Sequence, residues 1–151
     1  MVKPVQTEVI RTFRASQAAR LVGLSLAMVN YLCRHEIVMP SGGGERGRGR
    51  PRLYGYADVL LLRVMAQLLV QGVSVLGLRK SLATYRAERG QLDIATCRYF
   101  VTDGYNVLLR EADRLEDVTS GQQVFSFVLD LQPVRDAVDK NMTLDQSVAN
   151  G

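Results

Sequence analysis

A chain of 151 residues, 47% hydrophobic and 23% charged, is long enough for one ordinary domain or two small ones and is not compositionally disordered. Its longest apolar stretch, Val59 to Val70, is interrupted by Arg63 and Gln67 and falls short of the roughly 18 residues that cross a bilayer. The formal charge of +4 hides an asymmetry: residues 1–90 carry 14 Lys/Arg against 5 Asp/Glu, a net of +9, and residues 91–151 carry 5 against 10, a net of −5. A basic half joined to an acidic half is expected to face a polyanion with the first and do something else with the second.

Met1-Val2-Lys3-Pro4 lacks the apolar core of a secretory signal, and Cys33 and Cys97 form neither a CxxC pair nor a disulfide framework. The cytoplasm, in association with the nucleoid, is the expected location. Residues 1–12 carry no periodicity and read as an arm or a short edge strand. From Ala15 to about Glu36 the apolar positions follow helical spacing in two pieces, broken at Gly23-Leu24-Ser25. Ala19 is small where two helices would cross at a steep angle, and Gly23 tolerates the left-handed backbone of a tight turn four residues later. Leu24 would plug the angle between the helices, Val22, Val29 and Leu32 would supply the core, and Ser25 can cap the second helix.

Between Pro40 and Arg52, five glycines, two prolines and four arginines in thirteen residues forbid a helix. Within that stretch Gly47-Arg48-Gly49-Arg50-Pro51-Arg52 resembles an AT-hook, whose arginines enter a narrow minor groove. The plainer reading is a solvated loop whose charge adds non-specific attraction. Asp58 to Gln71 is strongly helical and ends at Gly72, and Ser74 reads as the N-cap of a helix that runs through Leu78 and Leu82 to about Gly90. The Asp58–Gln71 helix is apolar on almost every face, so something must cover it.

After Gly90 the character changes. Cys97 to Val101 is rich in β-formers, Asp103-Gly104 signals a hairpin turn, Tyr105 to Leu109 reads as a second strand, and Val124 to Leu129 as a third. Pro133 suits the first turn of a short helix, with Val134, Ala137 and Val138 on one face, and residues after about Asn141 read as a polar tail. The expected class is α+β, with a helical, winged DNA-binding domain over residues 12–90 and a small β-hairpin-rich module over residues 96–141.

The anchors of the first half fall in a particular order. Val29-Asn30-Tyr31-Leu32-Cys33-Arg34-His35-Glu36-Ile37-Val38-Met39-Pro40 leads into a basic Gly/Arg loop, then Arg52-Leu53-Tyr54, a helix, and the turn Gly72-Val73-Ser74. Over roughly residues 12–82 this order resembles the DNA-binding domain of the MerR family of bacterial regulators. The resemblance implies a helix-turn-helix, a two-stranded wing ending in an Arg-x-Tyr element, and a second helical pair joined at a Gly-hydrophobic-Ser turn. It implies double-stranded DNA as partner, a homodimer, and regulation of transcription. The sequence departs from the family in three places: Asn30 rather than arginine precedes Tyr31, Glu36 rather than glycine precedes Ile37-Val38, and the wing loop is longer and more basic than is typical.

With the second helix in the major groove, Leu26, Ala27, Asn30, Tyr31 and Arg34 would form the exposed face. Asn30 can pair bidentately with adenine, Leu26 or Ala27 can touch a thymine methyl, and Tyr31 and Arg34 suit phosphates. Ser16 and Gln17, near the start of the first helix, can bind a phosphate, and Arg46, Arg48, Arg50, Arg52 and Tyr54 complete the DNA-binding set through the wing. One histidine, no metal-ligand spacing and no nucleophile with an evident base argue against an enzyme, and neither metal nor cofactor is expected. His35 reads as an exposed residue at a helix end.

The family's usual long dimerisation helix has no counterpart after Gly90, so residues 97–141 must serve oligomerisation or partner binding. Three strands and a helix are marginal as an independent core; dimerisation, or docking on Val59–Val70, would stabilise them. This region resembles a small domain attached to some bacterial antitoxins, which opens the alternative of an operator-binding antitoxin with a protein partner at the acidic half. An excisionase-like, DNA-bending architectural factor is the other alternative.

Overall fold

A computed structural model describes residues 12–42, 53–111 and 127–150, with side chains through Leu144. Two short helices open the described chain, α1 (Ala15–Val22) and α2 (Leu26–Arg34). Two longer ones follow, α3 (Tyr56–Val70) and α4 (Val75–Arg89). Strands β1 (Tyr99–Thr102), β2 (Val107–Arg110) and β3 (Phe127–Asp130) then lead directly into α5 (Leu131–Asn150).

Local chemistry sets the helix boundaries. Ser25 Oγ accepts from the Met28 N–H at 3.1 Å, and Ser74 Oγ accepts from the Gly77 N–H at 2.9 Å, so both hydroxyls cap the helices expected of them. Helix α3 ends where the Gln71 N–H returns to the Gln67 carbonyl, and Gly72 follows with positive φ, the usual way to leave a helix. Its Val59, Leu60, Leu61, Leu62, Val64, Met65, Ala66 and Leu68 are all buried. A helix so apolar needs cover on more than one side, and α1, α2 and α5 all pack against it.

The sheet has the order β2-β1-β3, antiparallel throughout. Tyr99 pairs with Arg110 and Asp130, and Thr102 with Val107 and Phe127. As the central strand, β1 is buried at every position. Phe100 faces the main core, whereas Tyr99 and Val101 form a small cluster with Leu108 and Val128. The ladder stops at Thr102 and Val107, so the turn takes residues 103–106 rather than the tight Asp103-Gly104 pair. Asp103 is the reason: its Oδ1 accepts from the Tyr105 and Asn106 N–H groups at 2.8 and 2.6 Å, closing a wider loop on its own side chain.

The C-terminal helix is longer than the short helix the sequence suggested, and residues beyond Asn141 continue it instead of forming a tail. Polar residues in that stretch sit on a helix that is held by its other face. Leu131 and Val138 are buried in the core, with Val134 and Met142 packed against it, a helical stripe that carries α5 along α1 and α3. Its amino end is tied to the sheet: the Leu131 N–H donates to the Arg98 carbonyl at 2.7 Å, the Arg98 guanidinium grips Asp130 at 3.1 Å, and Arg135 donates to the Ile94 and Cys97 carbonyls.

One buried cluster therefore runs from Phe13 through α3 to Phe100, Leu129 and Val138. Residues of both expected modules, 12–90 and 96–141, belong to this one cluster. They approach closely at Gly77, where a Cβ would stand 2.7 Å from the Gly104 carbonyl oxygen and 2.8 Å from Ser74 Oγ. Gly77→Ala improves helix propensity by about 1 kcal/mol but forces the hairpin turn off α4, at an overpacking cost of about 1–3 kcal/mol. Thermal unfolding is expected to shift down by a few degrees; an upward shift would mean that the hairpin is not seated on α4.

Candidate nucleic-acid interface

Helices α1 and α2 meet at Gly23, whose φ of 70° and ψ of 32° place it in the left-handed region. A side chain there would strain the backbone by about 1–2 kcal/mol. The Leu24 N–H closes the turn on the Ala19 carbonyl at 2.9 Å. Two side chains from distant segments fix the end of α1: Arg63 of α3 donates to the Val22 carbonyl at 2.9 Å, and Asn141 of α5 donates to the Leu21 carbonyl at 2.8 Å. Ala18, Ala19, Leu21 and Val22 bury one face of α1, and Val29 and Leu32 seat α2 with no exposure.

That seating decides what α2 presents outward. Leu26, Ala27, Asn30 and Arg34 are exposed, and Tyr31 is half-buried beside them. Spaced i, i+1, i+4, i+5 and i+8, these five residues form one continuous face opposite Val29 and Leu32. Tyr31 is held by the exposed His35, their ring centroids 4.3 Å apart. The face offers an amide at Asn30, a guanidinium at Arg34, a phenol at Tyr31, and the apolar surfaces of Leu26 and Ala27.

At the start of α1, Ser16 is exposed, and Gln17 is half-buried with its Oε1 accepting the Arg14 N–H at 3.0 Å. Gln17 is thus a helix cap as well as a neighbour of the surface. Arg14, which the sequence reading passed over, is exposed immediately before the helix. A cation in that place opposes the helix dipole, and an anion bound beside it would offset the opposition. The signal was available, since a basic residue stands where a capping side chain is the usual choice.

Arg46, Arg48, Arg50 and Arg52 lie outside the described residues, but the segments that flank them do not. Gly42 bridges to Leu53, and Phe13 pairs with Tyr54 through N–H···O bonds of 2.8 and 2.7 Å. Tyr54 corrects the expected DNA-binding set. At 2% exposure its ring is part of the core, so it anchors the segment after the loop and does not present a surface to DNA.

Glu36 explains one departure from the family pattern. Its φ is 56°, the left-handed conformation that favours glycine, so the backbone requirement persists although the residue differs. The carboxylate instead meets Arg79 of α4 at 2.9 Å, in an exposed pair worth about 0.2–1 kcal/mol. Cys97 is buried: burial first, then the nearby Asp93 and Glu111 carboxylates, push its thiol pKa up, which opposes thiolate reactivity.

Residues 13–84 match the model of the MerR HTH family of regulatory proteins. Residues 13–84 are a MerR-type helix-turn-helix domain. The relatives of the chain point the same way. Uncharacterized HTH-type transcriptional regulators of Mycobacterium bovis and of two strains of Mycobacterium tuberculosis are each 30% identical to it over 112 residues, 74% of this chain. The chain spans 49% of the length of those relatives, about half. The MerR-type domain thus ends within α4, and the sheet and α5 lie beyond it while sharing its core. Among the described residues no helix is long and apolar enough to cross a membrane.

Proposed function

We propose that this chain is a sequence-specific, double-stranded-DNA-binding regulator of transcription that reads the major groove with α2 and the adjoining groove with the arginines of the 43–52 loop. The observation that carries this reading is the outward face of α2. Asn30 stands at its centre, with Arg34 and Tyr31 on one side and Leu26 on the other, while Val29 and Leu32 seat the helix in the core. An amide at the centre of a groove-facing helix suits adenine, and the flanking cation and phenol suit phosphate. Exposed Arg14 and Ser16 at the start of α1 extend the same surface toward the backbone.

The chain acts in this reading as a homodimer on paired half-sites, as helix-turn-helix proteins of two-fold symmetry do. The exposed apolar side chains of Val70, Leu76 and Tyr105 offer surface for such an association. No catalytic step is assigned to it.

Selection and sequencing of genomic fragments bound by the full chain near physiological salt tests the proposal. A few related sites with fixed half-site spacing are expected; retention of DNA with no shared motif would sink sequence specificity. Asn30→Ala is expected to change the preferred base at one position by about 1–3 kcal/mol of discrimination while leaving other positions alone. Equal weakening on every sequence would make Asn30 a backbone contact.

A further inference from the structure

The last carbonyls of an α-helix have no partner within the helix, and at the end of α1 all four find one elsewhere. The Gly23 and Leu24 N–H groups turn back onto the Arg20 and Ala19 carbonyls. Side chains from far along the chain take the other two. Asn141 Nδ2 of α5 donates to the Leu21 carbonyl at 2.8 Å, and Arg63 Nη1 of α3 donates to the Val22 carbonyl at 2.9 Å. From this end the chain passes into α2 after only Gly23, Leu24 and Ser25. Gly23 is held in the left-handed region and the Ser25 hydroxyl caps α2, so the turn has little freedom of its own. Whatever orients the end of α1 therefore orients α2.

Helix α1 has only eight residues, and two of its four buried side chains are alanines, which interlock little with their surroundings. Directional bonds supply the missing constraint. The α5 end of the clasp is itself fixed: Val138 is buried, and Asp139 Oδ1 accepts from the Tyr56 hydroxyl at 2.7 Å at the start of α3. About the helix axis Val138 falls between Asp139 and Asn141, so one buried valine is flanked by a bond to α3 and a bond to α1.

We propose that Asn141 is a positioning residue for DNA reading: from α5, beyond the MerR-type domain, it sets the angle at which Leu26, Ala27, Asn30, Tyr31 and Arg34 meet the major groove. The proposal rests on the reading of α2 as the groove-facing helix. Asn141 acts through the Leu21 carbonyl and carries no charge, so its loss leaves the phosphate attraction untouched and misaligns only the base contacts.

The experiment titrates the full chain against two duplexes, the one most enriched in genomic selection and a shuffled duplex of the same length and composition, well below the melting temperature of each variant. The ratio of the two affinities is the readout, because a residue that served stability alone would not move it. Asn141→Ala is expected to lower the ratio about fivefold, with affinity for the shuffled duplex within about twofold of the parent's. Asn141→Gln, which keeps an amide donor, is expected to stay within about twofold of the parental ratio. In the background of Asn30→Ala the Asn141→Ala change is expected to lower the ratio little further, since the base contact it aligns is already gone. If Asn141→Ala does not fold, Arg63→Met removes the companion bond to Val22 and is expected to lower the ratio in the same way.

A parental ratio in folded Asn141→Ala, with the ratio lowered in Asn30→Ala, would overturn the positioning role and leave the reading of α2 standing. Equal weakening on both duplexes, or equal loss in the Ala and Gln variants, would overturn it as well. An unchanged ratio in Asn30→Ala would overturn the base-reading role of α2, and this proposal with it.

Discussion

Phe100→Ala is expected to destabilise the whole chain by about 3–5 kcal/mol and to lower the unfolding midpoint of the DNA-binding helices together with that of the sheet. Phe100 has no exposed surface, sits on the central strand, and belongs to the same buried cluster as Val29, Leu32 and the apolar residues of α3. Truncating a buried ring removes its transfer free energy and leaves a cavity that a central strand, paired on both edges, is poorly able to collapse. The result reaches α1 and α2 because α5, which leaves β3 without a connecting loop, lies against α1 and α3. Urea unfolding followed by far-ultraviolet circular dichroism reads mostly the helices. One transition at a much lower midpoint is expected; a helical transition left at the parental midpoint would show that the two halves fold independently.

The second large effect is on binding. Arg50→Ala combined with Arg52→Ala is expected to reduce affinity for all duplexes by about 30-fold near 0.15 M salt and to flatten the plot of log affinity against log salt by about 1.8. Each arginine that neutralises a phosphate releases condensed counterions, so two lost contacts change slope and affinity in fixed proportion. Stability is expected to change little, because arginine is rarely a core residue and surface substitutions usually stay within about 0.5 kcal/mol. A weaker affinity with an unchanged slope would mean that these arginines act by some route other than phosphate neutralisation.

What the sequence disclosed follows from where the responsible physics resides. Gly23, Ser25 and Ser74 do their work within four residues of themselves, through a backbone conformation or a capping hydroxyl, and all three are found in the expected role. The exposed face of α2 was equally legible, since helical spacing alone separates Leu26, Ala27 and Asn30 from Val29 and Leu32. Tyr54 was misjudged because nothing local distinguishes a tyrosine that meets DNA from one that pairs with Phe13 and turns into the core.

The length of α5 was missed for a related reason. Its polar composition resembles a tail until α1 and α3 are in place to receive Val134, Val138 and Met142 and the Asn141 amide. The apolar surface of Val59–Val70 did signal that a cover was required, and docking of the later segment on that helix was one of the two solutions foreseen. The Asp103 turn illustrates the limit within a hairpin. An Asp-Gly pair locates the reversal, but the side-chain bonds to Tyr105 and Asn106 set its width.

The central claim is that α2 enters the major groove of double-stranded DNA. Dimethyl sulfate footprinting on a duplex recovered by genomic selection tests it directly, since the reagent attacks guanine N7 in the major groove and adenine N3 in the minor groove. Guanine N7 protection within each half-site, with adenine N3 protection beside it where the arginine loop lies, is the expected pattern. Protection of adenine N3 alone, with every guanine N7 left reactive, would contradict the assignment of α2 as the recognition helix.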